Sequence, residues 1–243
     1  MKNSFYFLLT VLILLPFFSF SQAQDANREI YNFFDEVVGV ENIGIFNGTE
    51  YQEKYRLANK KHPYFGAQDF ANGSVCYDGE IYFNLNMKYN IHEQEVILKI
   101  KNKNSSNVII KLFKDKIKGF NIDSHQFVKV SGIDSKNDNI SEFYEVAFDD
   151  PIFSLLIKYQ KNKKDFYTNG VMYFEFVNAK DKYVILIDGN YIQVKSIKDI
   201  IHLFPNLKEK INNFHKDKKP LRRLNYTQFL IGLLQEIKLT KLK

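Results

Sequence analysis

From Glu80 to Tyr89 the chain alternates without a break. Ile81, Phe83, Leu85, Met87 and Tyr89 fall on one face, and Glu80, Tyr82, Asn84, Asn86 and Lys88 on the other. A period of two is the signature of a strand with one buried face. The run follows Asp78-Gly79, a pair that accepts positive φ at both positions of a tight hairpin turn. Val96, Leu98 and Ile100 repeat the alternation against Glu95, Lys99 and Lys101. Short apolar runs at 108–113, 127–130, 143–148, 152–159, 171–177, 183–187 and 191–194 follow, each bounded by Asn, Asp, Gly or Ser. Strands this short, with no helical period between them, predict an antiparallel meander over 73–195. Asp188-Gly189 marks a second hairpin, and Asn47-Gly48 predicts a third by the same turn chemistry.

After Lys195 the period changes. Ser196 caps a predicted helix with Asp199 three residues on, and Ile197, Ile200, Ile201 and Phe204 share one face until Pro205 stops it. Asn206 is placed to cap a second helix carrying Leu207, Ile211 and Phe214, and residues 216–223 read as a polar connector around Pro220. Tyr226, Phe229, Leu230, Leu233, Leu234 and Ile237 give a last helix a wide stripe that suits docking on the sheet. Residues 28–38 have mixed helical character, 51–66 read as irregular, and the segment 24–72 is expected to pack on the sheet. The expected class is α+β: a large curved antiparallel sheet with two or three C-terminal helices at 196–243.

At the other end, Lys2, the apolar block from Phe5 to Phe20 and the small residues before Gln24 form an export leader, 1–23, cut between Ala23 and Gln24. The block is about 16 residues and contains Pro16, short of the roughly 20 that span a bilayer, and no later segment replaces it. The expected product is soluble, periplasmic or secreted, with no transmembrane span. Its single cysteine, Cys76, excludes intramolecular disulfides. Between Val75 and Tyr77 it reads as a small buried hydrophobe. Stability must come from an ordinary core, which 45% hydrophobic residues can supply.

The net charge of +6 is uneven. Residues 24–205 carry 23 basic and 25 acidic side chains, whereas 206–243 carry 10 and 3. Arginine occurs only at 28, 56, 222 and 223, and a lysine-dominated surface lacks the planar forks that read phosphate bidentately. A solvated face is expected there, and no nucleic-acid partner. Catalytic signatures are absent: there is no G-x-S-x-G, S-x-x-K, H-E-x-x-H or phosphate-binding glycine loop. His62, His92, His125, His202 and His215 stand far apart, so no catalytic, cofactor-binding or metal residues are assigned and no cofactor is expected. Asp149-Asp150 before Pro151 reads as turn chemistry, and His92 with Glu93 and Glu95 as a solvated hairpin.

His62-Pro63-Tyr64-Phe65 is the exception, a rigid step followed by two aromatics. His62, Tyr64 and Phe65 are the candidates for a binding surface, although plugging one end of the sheet is the more ordinary use of such rings. Together with Asn47-Gly48-Thr49-Glu50-Tyr51, the run Gly73 to Tyr82, Phe143-Tyr144-Glu145 and Leu203-Phe204-Pro205, this motif resembles a group of uncharacterised exported proteins of Bacteroidetes-type bacteria. The resemblance covers most of the chain after the leader, with Lys61 where the group usually has glycine. It implies a cell-envelope protein and carries over no activity. The leading expectation is a non-enzymatic binding or interaction module whose partner is an envelope protein or an apolar ligand. The alternatives are a periplasmic carrier cupping an apolar ligand, lipid or lipoprotein, on its curved sheet, and a hydrolase of envelope or extracellular polymers.

Overall fold

The computed structural model describes residues 44–101, 106–133 and 141–241, so the leader, Ala23, Gln24 and the pattern at 28–38 lie outside the described residues. The first strands are β1 (Gly48–Glu50), β2 (Ala71–Tyr77), β3 (Glu80–Asn90), β4 (Glu95–Lys101), β5 (Asn107–Leu112), β6 (Ile117–Ile122) and β7 (His125–Ser131). Then come β8 (Ser141–Phe148), β9 (Phe153–Lys158), β10 (Lys161–Thr168), β11 (Val171–Asn178), β12 (Lys182–Ile187) and β13 (Asn190–Val194). Eleven of them form one antiparallel sheet, ordered β1-β5-β4-β3-β2-β6-β7-β8-β9-β12-β13, and β10 and β11 pair as a separate hairpin. Four helices close the chain: α1 (Ile197–Leu203), α2 (Lys208–Asp217), α3 (Lys219–Leu224) and α4 (Tyr226–Lys241). The class is α+β, as the sequence predicts.

The sheet curls. Strands β5 and β6 are separated by three others, yet only residues 113–116 join them. On a flat sheet that gap is about 19 Å at roughly 4.8 Å per strand. Five Cα steps reach at most about 18 Å, and the 3₁₀ turn Lys114–Lys116 shortens the path further. The bend is built into β3. Its first half pairs with β2 and its second half, from Asn86, with β4. Between them Phe83 and Asn84 oppose the single residue Ser74, a bulge with Asn84 at φ 54°. The extra residue inverts the alternation, so Tyr82 points into the core before the bulge, Met87 and Tyr89 after it, and Ile81 is left exposed. The unbroken single face expected for 81–89 is therefore corrected at its first residue.

Inside the curl Tyr77, Met87, Tyr89, Leu98, Ile117, Phe120, Phe127 and Phe143 form one core, joined by Ile45 from the segment before β1. The Tyr77 hydroxyl fastens the rim, donating to the Asn47 carbonyl and accepting from the Phe113 N–H at 3.4 Å. A second core lies between the helices and one face of β9, β12 and β13, where Phe153, Leu155 and Ile185 meet Ile200, Ile211, Phe229, Leu233 and Leu234. On the other face of β9, Leu156 packs with Val130, Tyr144 and Val184. All six residues of β9 are buried, as befits a strand covered on both sides.

Local chemistry explains most ends. Asp78-Gly79 and Asp188-Gly189 have positive φ at both positions, as does Asn169-Gly170 between β10 and β11. Asn47-Gly48 forms no hairpin. Gly48 opens β1, where a Cβ would stand 2.6 Å from the Lys111 carbonyl oxygen, so the glycine serves close strand approach. Asp199 accepts from the N–H groups of Lys195 and Ser196, fixing the start of α1. Asn206 lies in the 3₁₀ turn Pro205–Leu207 rather than capping α2. The expected connector contains α3, because Pro220 in a first helical turn forfeits no hydrogen bond. Asp150 accepts from the Ile152 N–H at 3.1 Å, the expected turn, and also pairs with Lys238, which holds its carboxyl below the ordinary range and ties α4 to the sheet. Cys76 is a free, half-buried thiol.

In α4, Phe229, Leu230, Leu233, Leu234 and Ile237 are each at most 1% exposed. At roughly 1.5–3 kcal/mol per buried side chain their burial is on the order of 10 kcal/mol, comparable with the whole stability of a domain. Truncation after Asn225 should abolish the cooperative thermal transition followed by circular dichroism. An unchanged melting temperature would show that α4 is an appendage rather than part of the core.

Candidate functional site

Residues 51–66 have no regular secondary structure, as expected, and run as a strap across the sheet. Leaving β1, the Tyr51 N–H donates to the Ile109 carbonyl at 2.9 Å. The strap then runs parallel to β11, exchanging bonds at 2.9 Å between Arg56 and Phe174, Ala58 and Phe174, and Phe176 and Lys61. It ends on β3, where the Ile91 N–H reaches the Pro63 carbonyl at 2.9 Å and the Phe65 N–H reaches the Tyr89 carbonyl at 2.8 Å. Pro63 offers only its carbonyl, and only its carbonyl is used. The Tyr55 ring meets Phe174 and Phe176 edge-on at 5.1 and 4.9 Å, and its hydroxyl donates to Glu93. His92, expected to be solvated, docks the same hairpin: its Nδ1 lies 3.1 Å from the Lys161 carbonyl and its ring 5.2 Å from Phe176.

Tyr64 is the plug, 1% exposed. Its hydroxyl donates to Glu53 and lies 3.0 Å from the Tyr51 hydroxyl, while the Lys88 ammonium sits 4.7 Å from its ring centre. Burial and the Glu53 carboxylate push its phenol far up, and burial pushes that of Tyr51 up to about 12. The His62 ring stacks on Tyr64 at 5.8 Å, and its Nδ1 accepts from the Tyr64 N–H at 3.2 Å. Burial, then the Lys161 and Lys88 ammoniums, push its imidazole below the ordinary range, so it stays neutral.

Phe65 stands at a junction, its ring 4.9 Å from His125, 5.0 Å from Phe127 and 5.1 Å from Tyr159. Beside it opens a cleft of about 320 Å³, roofed by Tyr64 and Phe65 and floored by Tyr159, Gln160, Lys161 and Asp181. The Lys161 ammonium donates to the His62 carbonyl at 2.8 Å and the Tyr64 carbonyl at 2.7 Å, and burial lowers its pKa. Asp181 accepts from the Gln160 N–H at 3.3 Å, and burial, with the Glu145 charge adding, raises its carboxyl. Glu145, 8% exposed, holds His125 Nδ1 at 2.5 Å with one oxygen and accepts the Tyr159 hydroxyl with the other.

The structure thus brings Tyr64 and Phe65 to one cleft, while His62 turns its ring onto Tyr64 and contributes its carbonyl. His125, Glu145, Tyr159, Lys161, Asn178 and Asp181 were not singled out by sequence. The His125–Glu145 contact follows from pairing, since Glu145 lies opposite Phe127 and diagonal to His125. The rest meet because β12 pairs with β9 across the inserted hairpin, which no spacing in the chain announces. A larger groove of about 480 Å³ over Phe70, Lys99 and Lys101 is a shallower assembly in which the Lys88 ammonium already covers the Phe70 ring at 4.4 Å.

Among the described residues, no three His, Cys, Asp or Glu side chains are grouped to hold a metal ion, and no helix is long and apolar enough to cross a membrane. Comparison of the chain with protein-family models, with curated proteins and with solved structures gives no match.

Two outcomes follow from the electrostatics. Glu145→Ala leaves the Tyr159 hydroxyl and His125 Nδ1 without their partner and should cost about 2 kcal/mol in denaturant unfolding. For Asp181 the folded state favours the protonated carboxyl, so its ionisation opposes folding. That penalty is absent below the ordinary carboxyl range and complete above the raised one. Asp181→Asn should therefore raise the melting temperature at about pH 8 and leave it unchanged at about pH 3. A gain that grew on acidification would reverse this assignment.

Proposed function

We propose that the chain is an exported, non-enzymatic binding module of the cell envelope. Its ligand is a small, uncharged, polyhydroxylated one, a mono- or disaccharide unit held in the cleft under the strap. One observation carries this reading: the Lys161 ammonium lines the cleft with its donors already turned to two backbone carbonyls. That ammonium has little left for an anionic ligand, burial raises the Asp181 carboxyl, and amides and a phenol line the rest, so the lining favours many weak hydrogen bonds over one strong ion pair. Phe65 and Tyr159 supply apolar walls for the C–H face of a sugar ring, and Asn178 and Gln160 supply amide donors and acceptors. The size fits the small end of ligand sites, and the position between two cores is a usual one for them. The export leader and the envelope resemblance support the compartment.

An apolar cargo is less well supported, because the inner face of the curled sheet is filled by its own Tyr77, Met87, Tyr89 and Phe127. The hydrolase reading is favoured by one specific observation, the His125 imidazole oriented by Glu145 beside the cleft wall.

Isothermal titration against neutral gluco-, manno- and N-acetylglucosamine oligosaccharides tests the proposal. A Kd on the order of 10–1000 µM is expected for at least one series, weakened about fivefold by Asn178→Ala, with uronate analogues binding no more tightly. Slow cleavage of the bound sugar that disappears in His125→Ala would move the assignment to the hydrolase. No binding by any series overturns it.

A further inference from the structure

Several lysines of this protein sit against carboxylates. Lys61 pairs with Glu175, Lys111 with Glu95, Lys116 with Asp78, Lys158 with Glu142, Lys210 with Glu236 and Lys238 with Asp150. The elbow between α2 and α3 concentrates basic side chains without such partners. Residues 216–223 contain five basic side chains and one acidic one, Asp217. Among the described residues, none of Lys216, Lys218, Lys219, Arg222 and Arg223 lies within ion-pair distance of a carboxylate.

The elbow is also anchored on the helical core. Ile211 is fully buried, Phe214 packs on Phe229 at 5.6 Å, and the His215 ring meets Phe229 at 6.0 Å. Arg222 donates to His215 Nε2, and burial, then that guanidinium, lowers the pKa of the imidazole. Arg222 is therefore a fixed cation whose one side-chain partner cancels none of its charge. In α3, Leu221 turns inward to the helical core. The i, i+4 pairs Lys219/Arg223 and Pro220/Leu224 share the exposed face. Leu224 is 88% exposed, more than any other large hydrophobic side chain among the described residues.

An exposed leucine ringed by unpaired cations on a short, anchored helix matches one surface chemically. The leucine enters the acyl boundary of a bilayer, and the cations lie at the level of its phosphates. We infer that the α2–α3 elbow docks the protein on an anionic phospholipid bilayer. A nucleic acid or acidic polysaccharide would use the cations but leave Leu224 without a role. The site is remote in sequence from the cleft, and the inference does not depend on what the cleft holds.

The test is vesicle co-sedimentation of the processed chain beginning at Gln24, with phosphatidylcholine vesicles with and without phosphatidylglycerol. Binding should require phosphatidylglycerol and weaken with salt. The triple variant Lys218→Gln, Lys219→Gln and Arg223→Gln should lose about a hundredfold in affinity, at about fivefold per charge. Leu224→Ser should lose about tenfold, a loss that persists when salt is raised. A control triple of exposed lysines elsewhere, Lys118→Gln, Lys180→Gln and Lys195→Gln, should bind as the parent does. All these side chains are exposed, so unchanged melting curves separate lost binding from lost folding. Absence of binding by the parent, equal losses in the two triple variants, or a heparin or DNA affinity above vesicle affinity and indifferent to Leu224 would each overturn the inference.

Discussion

The fold depends on a close approach at Gly73. A Cβ there would stand 2.2 Å from the Met87 sulfur and 2.3 Å from the Asn121 carbonyl oxygen, so β2 can lie between β3 and β6 at this spacing only without a side chain. The β3 bulge lies at the next residue, opposite Ser74. Together they turn the sheet sharply, and everything on the left arm follows. The β4–β5 pair swings back until four residues suffice to reach β6, the inner aromatics close on each other, and β1 is brought to where the strap begins. Filling the curl with rings such as Phe120 and Phe127, stacked at 4.8 Å, leaves little inner surface for a guest. Ligand chemistry is displaced to the seams.

The seam that matters lies where the curled half meets the flat, helix-covered half. Tyr159 sits just past the end of β9 and touches both cores, and Glu145 on β8 joins it to His125 on β7. The strap crosses this seam and is hydrogen-bonded in turn to β5, β11 and β3, three places far apart in the chain. Polar groups buried at such a junction must be satisfied locally, because neither sheet nor helix ladders reach them. This explains why phenols, carboxylates and ammoniums concentrate there rather than over the sheet faces.

Much of the fold is legible in the sequence, because period-two runs and Asp-Gly turns are local signals. Strands β3 to β5, β7 to β9 and β11 to β13, the two Asp-Gly hairpins, the start of α1, the end set by Pro205 and the docking stripe of α4 all follow from residues within one element. What escaped follows from tertiary context. The inverted face at Ile81 needs the bulge. β10 reads Lys-Asn-Lys-Lys-Asp-Phe-Tyr-Thr, has no alternating apolar face and pairs only with β11. β6 was hidden by Gly119, whose Cβ would stand 2.7 Å from the Phe127 carbonyl oxygen. At the site, Tyr64 and Phe65 were visible as an aromatic pair after Pro63. Lys161 and Asp181 were not, because their importance lies in what surrounds them.

Lys161 shows why. The His62 and Tyr64 carbonyls both point at one spot, while the Pro63 and Phe65 backbone groups bond to β3 instead. Two converging carbonyls cannot both be served by one N–H of a neighbouring strand at sheet spacing. An ammonium on a long stem carries three donors at a single point and can serve both. A neutral amide has donors enough but also an oxygen that would face the carbonyls. Burial lowers the pKa of Lys161, yet two carbonyl dipoles oppose that tendency, so a charge can persist in the seam without a carboxylate. The cation then holds the strap turn in place, with its positive end toward the cleft. Asp181 on the floor accepts the Gln160 N–H but, among the described residues, has no cation, and burial raises its carboxyl. The occupied state of the one ammonium lining the cleft is thus a consequence of how the strap is anchored, which ties its chemistry to the path of the backbone rather than to any motif.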